Sequence, residues 1–404
     1  MEAYLIDWLN LLGRWLHLVV GIAWIGASFY FIWLDDQLEP ITSDSDRDDT
    51  ISGELWAVHG GGFYHSQKYR VSPPELPATL HWFKWEAYWT WLSGMFLLAL
   101  IYWYQAEIYL IDPAVADISK PLAIGVGALT LAGGWFIYDG LCRSPLAQND
   151  TWLSAALLLF VGLTAYGLCF VFGGRGAYMH YGAMLGTIMV ANVFFVIIPG
   201  QQDLVTAKQE GRPPDPIHGI RGKQRSVHNT YFTLPVLFVM VSHHYAGTFN
   251  HDYNWLILIG LSLAGTLIRV YFVARHKGGA SLWSLMVAGA IMAAIFFAGR
   301  PPPASGRAAE TAAPDMATVD MATVQGIVYA RCTGCHSAAP RQAGFAVAPK
   351  GFVLDSQAQI IAGAHKIHQQ TVLTKAMPIG NSTKMTDEER ALLDSWFRRL
   401  QTGQ

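Results

Sequence analysis

The run Cys332-Thr333-Gly334-Cys335-His336 sets two thiols three positions apart and an imidazole directly after the second. This is the C-x-x-C-H pattern of covalent haem c attachment, in which the thiols add to the porphyrin vinyl groups and the imidazole ligates the iron. A bare C-x-x-C would also suit a redox dithiol or half a zinc site; the adjoining histidine selects haem. A sixth ligand should follow, and Met377, ahead of Pro378 and about forty residues on, is the leading candidate. Thioether ligation raises the reduction potential and suits an electron acceptor. Met385, His365 and His368 are the alternatives, and a core methionine is the plain structural reading of Met377.

Four further histidines lie in strongly apolar sequence: His17, His180, His243 and His244. An ionisable group inside a membrane is costly and therefore a functional candidate. A haem b held by two of these four would be an electron relay. The structural alternative is a histidine hydrogen-bonded between helices. A second set gathers in two connecting segments. The first runs from His59 through Gly60-Gly61-Gly62 and His65 to Arg70, then to His81, Trp82 and Lys84. The second holds Gln201, Gln202, Arg225, His228 and Asn229. Glycines there would allow close backbone approach to a ligand. Arginine, asparagine and glutamine would present donors and acceptors to a flat anionic heterocycle, with a histidine as base. His65, His81, His228, Asn229 and Arg225 are the catalytic candidates. Membrane topology alone accounts for most of the basic members, and Asp44 to Asp49 reads as a solvated loop.

The elements that must position these groups follow from composition. Of 404 residues 52% are hydrophobic and only 14% charged, against about 25% charged in an ordinary soluble domain. The apolar residues come in blocks of about 20, the length that crosses a bilayer core. A soluble enzyme and a disordered chain are both excluded. A net charge of −2 argues against a nucleic-acid partner. About eight spans are expected, near 6–33, 87–107, 121–139, 151–172, 177–198, 230–247, 254–273 and 281–299. The first is too long for a signal-peptide core and lacks a basic flank, so it reads as a span. The expected class is all-α: a polytopic membrane bundle over 1–299, a Pro-rich linker over 300–317, and a small α-helical haem domain over 318–404. Cys142 and Cys169 have no visible partner logic.

With the N-terminus outside, the cytoplasmic loops hold twelve basic residues, from Arg47 to Lys277, against Lys120 and Arg175 opposite. That is a strong positive-inside bias. An even number of spans returns the C-terminal domain to the outer side.

That domain resembles a class I cytochrome c: a helix over Val324 to Arg331 into C-x-x-C-H, a Met-Pro loop, and a closing helix over Asp387 to Leu400. The resemblance implies attachment outside the cytoplasmic membrane of a bacterium, in agreement with the charge bias. The whole chain resembles the membrane-bound cytochrome c-type urate oxidases, or urate hydroxylases. The likeness rests on Arg14-Trp15-Leu16-His17 through Trp33-Leu34-Asp35, the His59 to Arg70 segment, Leu80-His81-Trp82-Phe83-Lys84-Trp85-Glu86, Asn192 through Pro199-Gly200-Gln201, and Ser226-Val227-His228-Asn229 to Pro235. It covers essentially the full length. The first span also resembles those of the four-helix protoporphyrinogen oxidases, over a short stretch.

The urate oxidase resemblance implies oxidation of urate to 5-hydroxyisourate with water as oxygen source. The electrons would leave through haem c to a terminal cytochrome oxidase or a soluble cytochrome c. It assigns no catalytic residues. A bilayer core about 30 Å thick is too wide for one fast tunnelling step. Either an intramembrane relay exists, or urate binds deep in the bundle towards the outer side. A different class of function, a quinol-linked cytochrome subunit with no substrate of its own, would not need the polar groups clustered in the two connecting segments.

Overall fold

In hydrocarbon every backbone N–H and C=O must be satisfied within its own segment, and the apolar blocks fold as helices for that reason. The computed structural model describes residues 2–41, 50–279, 281–299, 319–342 and 345–402. The segments Asp44 to Asp49 and 300–317 lie outside the described residues.

The membrane part contains α1 (Glu2–Asp36), the strands β1 (Ile51–His59) and β2 (Gly62–Tyr69), α2 (Trp85–Leu98), α3 (Ala106–Tyr109), α4 (Lys120–Arg143), α5 (Asp150–Cys169), α6 (Gly174–Asn192), α7 (Ile198–Gln209), α8 (Pro216–Ser242), α9 (Ala246–Phe249), α10 (Asn254–His276) and α11 (Trp283–Ala298). The C-terminal part contains α12 (Met321–Arg331), α13 (Gln357–Ala362), α14 (Ala364–His368) and α15 (Asp387–Thr402). The chain is an all-α polytopic bundle with one hairpin added.

Among the described residues five segments are long and apolar enough to cross a membrane: Tyr4–Asp36, Lys120–Arg143, Asp150–Cys169, Gly174–Gln209 and Asn254–His276. The other three expected spans fall short for identifiable reasons. After Leu98, α2 loosens into a π turn over Ala99–Trp103. The first half of α8 carries Arg221, Lys223 and Arg225. With 16 residues, α11 reaches only about 24 Å.

The long helices alternate in direction, so their ends gather at two faces. One face joins Glu2 to Tyr104, and Lys120 to the Tyr104 carbonyl; it carries the C-terminal domain and is called the near face. The far face ties Asp35 to Lys68 and Lys223, and Gln37 to the His276 carbonyl. The core runs through α4, α5, α6, α8 and α10, with Tyr138, Tyr178, Tyr181, Met184 and Ile188 fully buried. The central helix is α6, which has α4, α5 and α8 packed around it. Of its apolar window 61% is buried, against 6% for α1 at the periphery.

The segment from His59 to Arg70 is a structural correction. Expected as a ligand-approach loop, it pairs instead as an antiparallel hairpin, with His59 opposite Gly62 and Trp56 opposite His65. Gly60 and Gly61 sit at φ of 58° and 82°, a left-handed turn that glycine adopts without steric cost. The glycines serve the turn.

The C-terminal helices have a core of their own. Val324, Ile327 and Val328 of α12 meet Leu354, Ile360, Ile367, Leu393 and Trp396. Arg331 clamps α12 to α15 through Glu389, both of whose carboxylate oxygens accept from it. The domain rests on the near face, where Asn250 Nδ2 donates to the Thr374 carbonyl at 3.2 Å.

One close helix contact is open to a direct check. A Cβ on Gly182 of α6 would lie 2.6 Å from Val239 Cγ1 of α8. Gly182→Ala is expected to cost about 1–3 kcal/mol by overpacking, read as a lowered thermal unfolding midpoint in detergent. An unchanged midpoint would show that α6 and α8 are not this close.

Candidate functional site

Helix α12 ends at Arg331, and the chain then tightens into a turn in which the N–H groups of Cys335 and His336 both donate to the Cys332 carbonyl, at 3.1 and 2.8 Å. His336 Nδ1 lies 2.8 Å from the Phe352 carbonyl. A carbonyl can only accept, so Nδ1 carries the proton and Nε2 keeps a lone pair for a metal. Both thiols are free. Burial pushes the Cys332 thiol up to about 12, with Cys335 and Glu389 acting in the same direction, and burial also raises Cys335. Neither is a thiolate at neutral pH, unlike the activated pair of a redox dithiol.

Met377 is held by its backbone: its N–H donates to the Gln370 carbonyl at 2.9 Å and its carbonyl accepts from Arg390 Nη1 at 3.0 Å. Cys332, His336 and Met377 line one cavity of about 1300 Å³, beyond the roughly 300–1,000 Å³ of an ordinary ligand cleft. This donor set and space fit a covalent haem. Among the alternatives, Met385 borders the cavity but is packed into the domain core at 3% exposure. His365 and His368 pack on Phe397, and His368 Nε2 is 2.7 Å from Asp394.

The opposite wall of the cavity belongs to the bundle. It presents Arg14 from α1, Tyr109 from α3, Arg175 from α6, and His243 and His244 just after α8. Arg14 Nη1 is 3.2 Å from His243 Nε2, so that nitrogen accepts and the ring is neutral. Arg14 Nε reaches Asn10 Oδ1 at 2.6 Å. Arg175 donates to Tyr102 Oη at 3.3 Å and lies 4.9 Å above the Tyr109 ring. Among the described residues neither guanidinium is paired with a carboxylate.

The four membrane histidines each have partners within the protein. His17 Nδ1 is 3.0 Å from both the Thr90 carbonyl and Ser93 Oγ, tying α1 to α2. His180 is wholly buried, with Nδ1 on the Gly176 carbonyl at 2.9 Å and Nε2 accepting from the Trp103 indole at 3.1 Å. Both of its nitrogens are occupied. His243 is taken by Arg14, and His244 packs against His243 with ring centres 3.8 Å apart. These contacts fit inter-helix and interface packing.

In the far half, three of the five catalytic candidates come together. Arg225, with its side chain only 4% exposed, donates to Asp139 at 2.7 Å and to Asn192 Oδ1 at 3.4 Å, and lies 5.0 Å over the Tyr138 ring. Asn192 donates to Asn229 Oδ1 at 2.8 Å and to Tyr138 Oη at 3.0 Å. His228 Nδ1 lies 2.8 Å from Tyr138 Oη and 3.8 Å from Cys142 Sγ. Asn229 Nδ2 reaches the Met189 carbonyl at 3.0 Å. The network joins α4, α6 and α8, and its polar groups are spent on one another.

His65 and His81 stand apart and exposed. His65 stacks on Trp56 and binds Glu54, while His81 packs edge-on to Phe83. Sequence reading assigned no role to Tyr138, Asp139 or Cys142. A carboxylate in an apolar run, four residues before Arg143, was the available signal.

Removing half of a buried ion pair strands the other half. Asp139→Asn is therefore expected to destabilise the bundle by about 3–5 kcal/mol, and the double replacement Asp139→Leu with Arg225→Met by less. Thermal unfolding of both singles and the double decides this; additive losses would show that the two groups do not interact.

No curated protein and no solved structure matches the chain. Residues 3–299, which take in all the bundle helices, match a family described as urate oxidase N-terminal. The match stops short of the C-x-x-C-H domain. Membrane bundle and haem-type turn thus come from separable parts of one polypeptide, and by its larger part the chain belongs to the urate oxidase N-terminal family.

Proposed function

We propose that the protein is a membrane-bound oxidoreductase that converts urate to 5-hydroxyisourate and exports the electrons through its own C-terminal domain. The observation that carries this is the shared cavity. A bundle of the urate oxidase N-terminal family forms one wall, and Cys332, His336 and Met377 form the other.

The reaction balances without dioxygen as a reactant. One urate anion and one water give 5-hydroxyisourate, one proton and two electrons. Cys332 and Cys335 would tether the porphyrin, and His336 and Met377 would ligate the iron. A haem held there would supply a one-electron acceptor. The Phe352 carbonyl fixes the tautomer of His336, and the Arg390 bond to the Met377 carbonyl holds the thioether loop in place. The far-half network of Arg225, His228 and Asn229 keeps α4, α6 and α8 in register beneath the cavity.

In this reading the near face lies outside the cytoplasmic membrane of a bacterium. The concentration of Lys and Arg at the far face supports that orientation. A terminal cytochrome oxidase or a soluble cytochrome c receives the electrons there.

Adding urate anaerobically to oxidised membranes is expected to bring up the reduced haem c band, with one urate reducing two haems. Reduction by quinol but not by urate would favour the quinol-linked electron-transfer subunit instead. His336→Ala should abolish the urate-driven band while urate binding stays measurable; turnover retained with an external cytochrome would break this order of carriers. A pyridine haemochrome spectrum should show haem c without haem b.

A further inference from the structure

We infer that urate is oxidised at the near face, inside the cavity between the bundle and the C-terminal domain, with the Arg14 and Arg175 guanidinium groups holding the purine anion. The inference rests on the proposed urate oxidation and adds its location.

The strongest argument is where positive charge remains uncommitted. In the far half, Arg225 is already spent on Asp139, Asn192 and the Tyr138 ring, and Arg269, whose Nε and Nη2 have no hydrogen-bond partner among the described residues, is buried over the Phe29 ring and does not line this cavity. At the near face Arg14 and Arg175 line the cavity with only neutral partners: Asn10, His243, Tyr102 and the Tyr109 ring. Two half-buried cations without a counter-ion among the described residues form a site for an anion, because charge-assisted hydrogen bonds strengthen as water is excluded.

Three carboxylates, Asp112, Asp252 and Asp387, also line the cavity. Asp387 is paired with Lys375. Burial raises the Asp112 carboxyl above its ordinary range, although the Ala114 N–H and Arg390 oppose the shift. Lys350, Lys366 and Arg390 add positive charge from the C-terminal wall.

Shape and distance agree with the charges. Tyr109 lines the cavity with Arg175 over its ring, an aromatic and cationic surface suited to a flat anionic heterocycle, and His243, neutral beside Arg14, supplies a polar edge. A purine seated here shares its cavity with Cys332, His336 and Met377. Electrons then pass from one wall to the other without crossing about 30 Å of hydrocarbon, which answers the need for a relay that His17 and His180 do not meet.

The test uses full-length holoprotein in detergent, reduced by dithionite under anaerobic conditions so that urate binds without turning over. Arg14→Gln and Arg175→Gln are each expected to weaken equilibrium binding of radiolabelled urate roughly ten- to hundredfold, with haem content unchanged. Lys120→Gln, which removes an exposed cation of the same face paired with Glu107, controls for surface charge and is expected to leave affinity within about twofold.

Unchanged affinity in both arginine variants overturns the inference. So does loss of haem with urate binding intact, which would assign the two cations to the porphyrin carboxylates. A measurement on the unaltered protein covers the case of misfolded variants. In right-side-out vesicles external urate is expected to reduce the haem, and reduction only by urate loaded inside overturns the location. If urate reduces the haem from neither side, the proposed activity itself fails, an outcome distinct from the failure of this seat.

Discussion

A cation inside a low-dielectric bundle has to be answered by something, and how this chain answers its arginines organises the rest of the molecule. Arg225 is answered within the protein. Its buried ion pair with Asp139, extended through Asn192, Asn229, Tyr138 and His228, links three helices and leaves little free valence. Such a network specifies helix register more than it adds stability, since desolvation offsets much of the attraction. Arg14 and Arg175 receive only neutral partners. Arg269 of α10 is answered by an aromatic face: it lies buried over the Phe29 ring, with Nε and Nη2 unpaired among the described residues.

That difference bears on what was legible in the sequence. The helices were readable because lipid leaves backbone polar groups no other partner, so length and hydropathy decide. Boundaries failed where a second requirement intruded. The π turn after Leu98 contains Trp103, whose indole reaches His180, and the polar first half of α8 delivers Arg225 to Asp139. The hairpin was missed because three consecutive glycines suggested ligand approach, whereas a two-residue turn between strands uses the same freedom. α12 and α15 begin and end within three residues of expectation; α12 starts three residues earlier, at the cap where Asp320 accepts from the Thr323 N–H, and Thr386 accepts from the Glu389 N–H at the start of α15.

The site was half legible for a related reason. A covalent motif such as C-x-x-C-H is local, and its spacing carries its chemistry. A polar network assembled from α4, α6 and α8 has no local spacing, so residue type alone nominated His65 and His81 together with Arg225, His228 and Asn229. Only packing separates the exposed pair from the buried three. The same applies to the membrane histidines: nothing in the sequence near His180 announces that Trp103 and the Gly176 carbonyl will take both ring nitrogens.

In the proposed reading, carrying the electron acceptor on the same polypeptide would change the kinetics of the chemistry more than its thermodynamics. Two electrons would leave the substrate one at a time, so the intermediate left by the first transfer would wait for the acceptor to be reoxidised or replaced. A freely diffusing acceptor would impose an encounter at each step. An acceptor on the same chain raises its effective concentration at the site, and contacts such as Asn250 with Thr374 hold the C-terminal domain against the bundle. The domain gains as well. A core as small as Val324, Ile327, Leu354, Ile360, Leu393 and Trp396 is marginal for a unit of this size, and a covalently attached porphyrin would enlarge it. In the proposed reading, covalent attachment would serve folding and electron export through the same two half-buried thiols, Cys332 and Cys335.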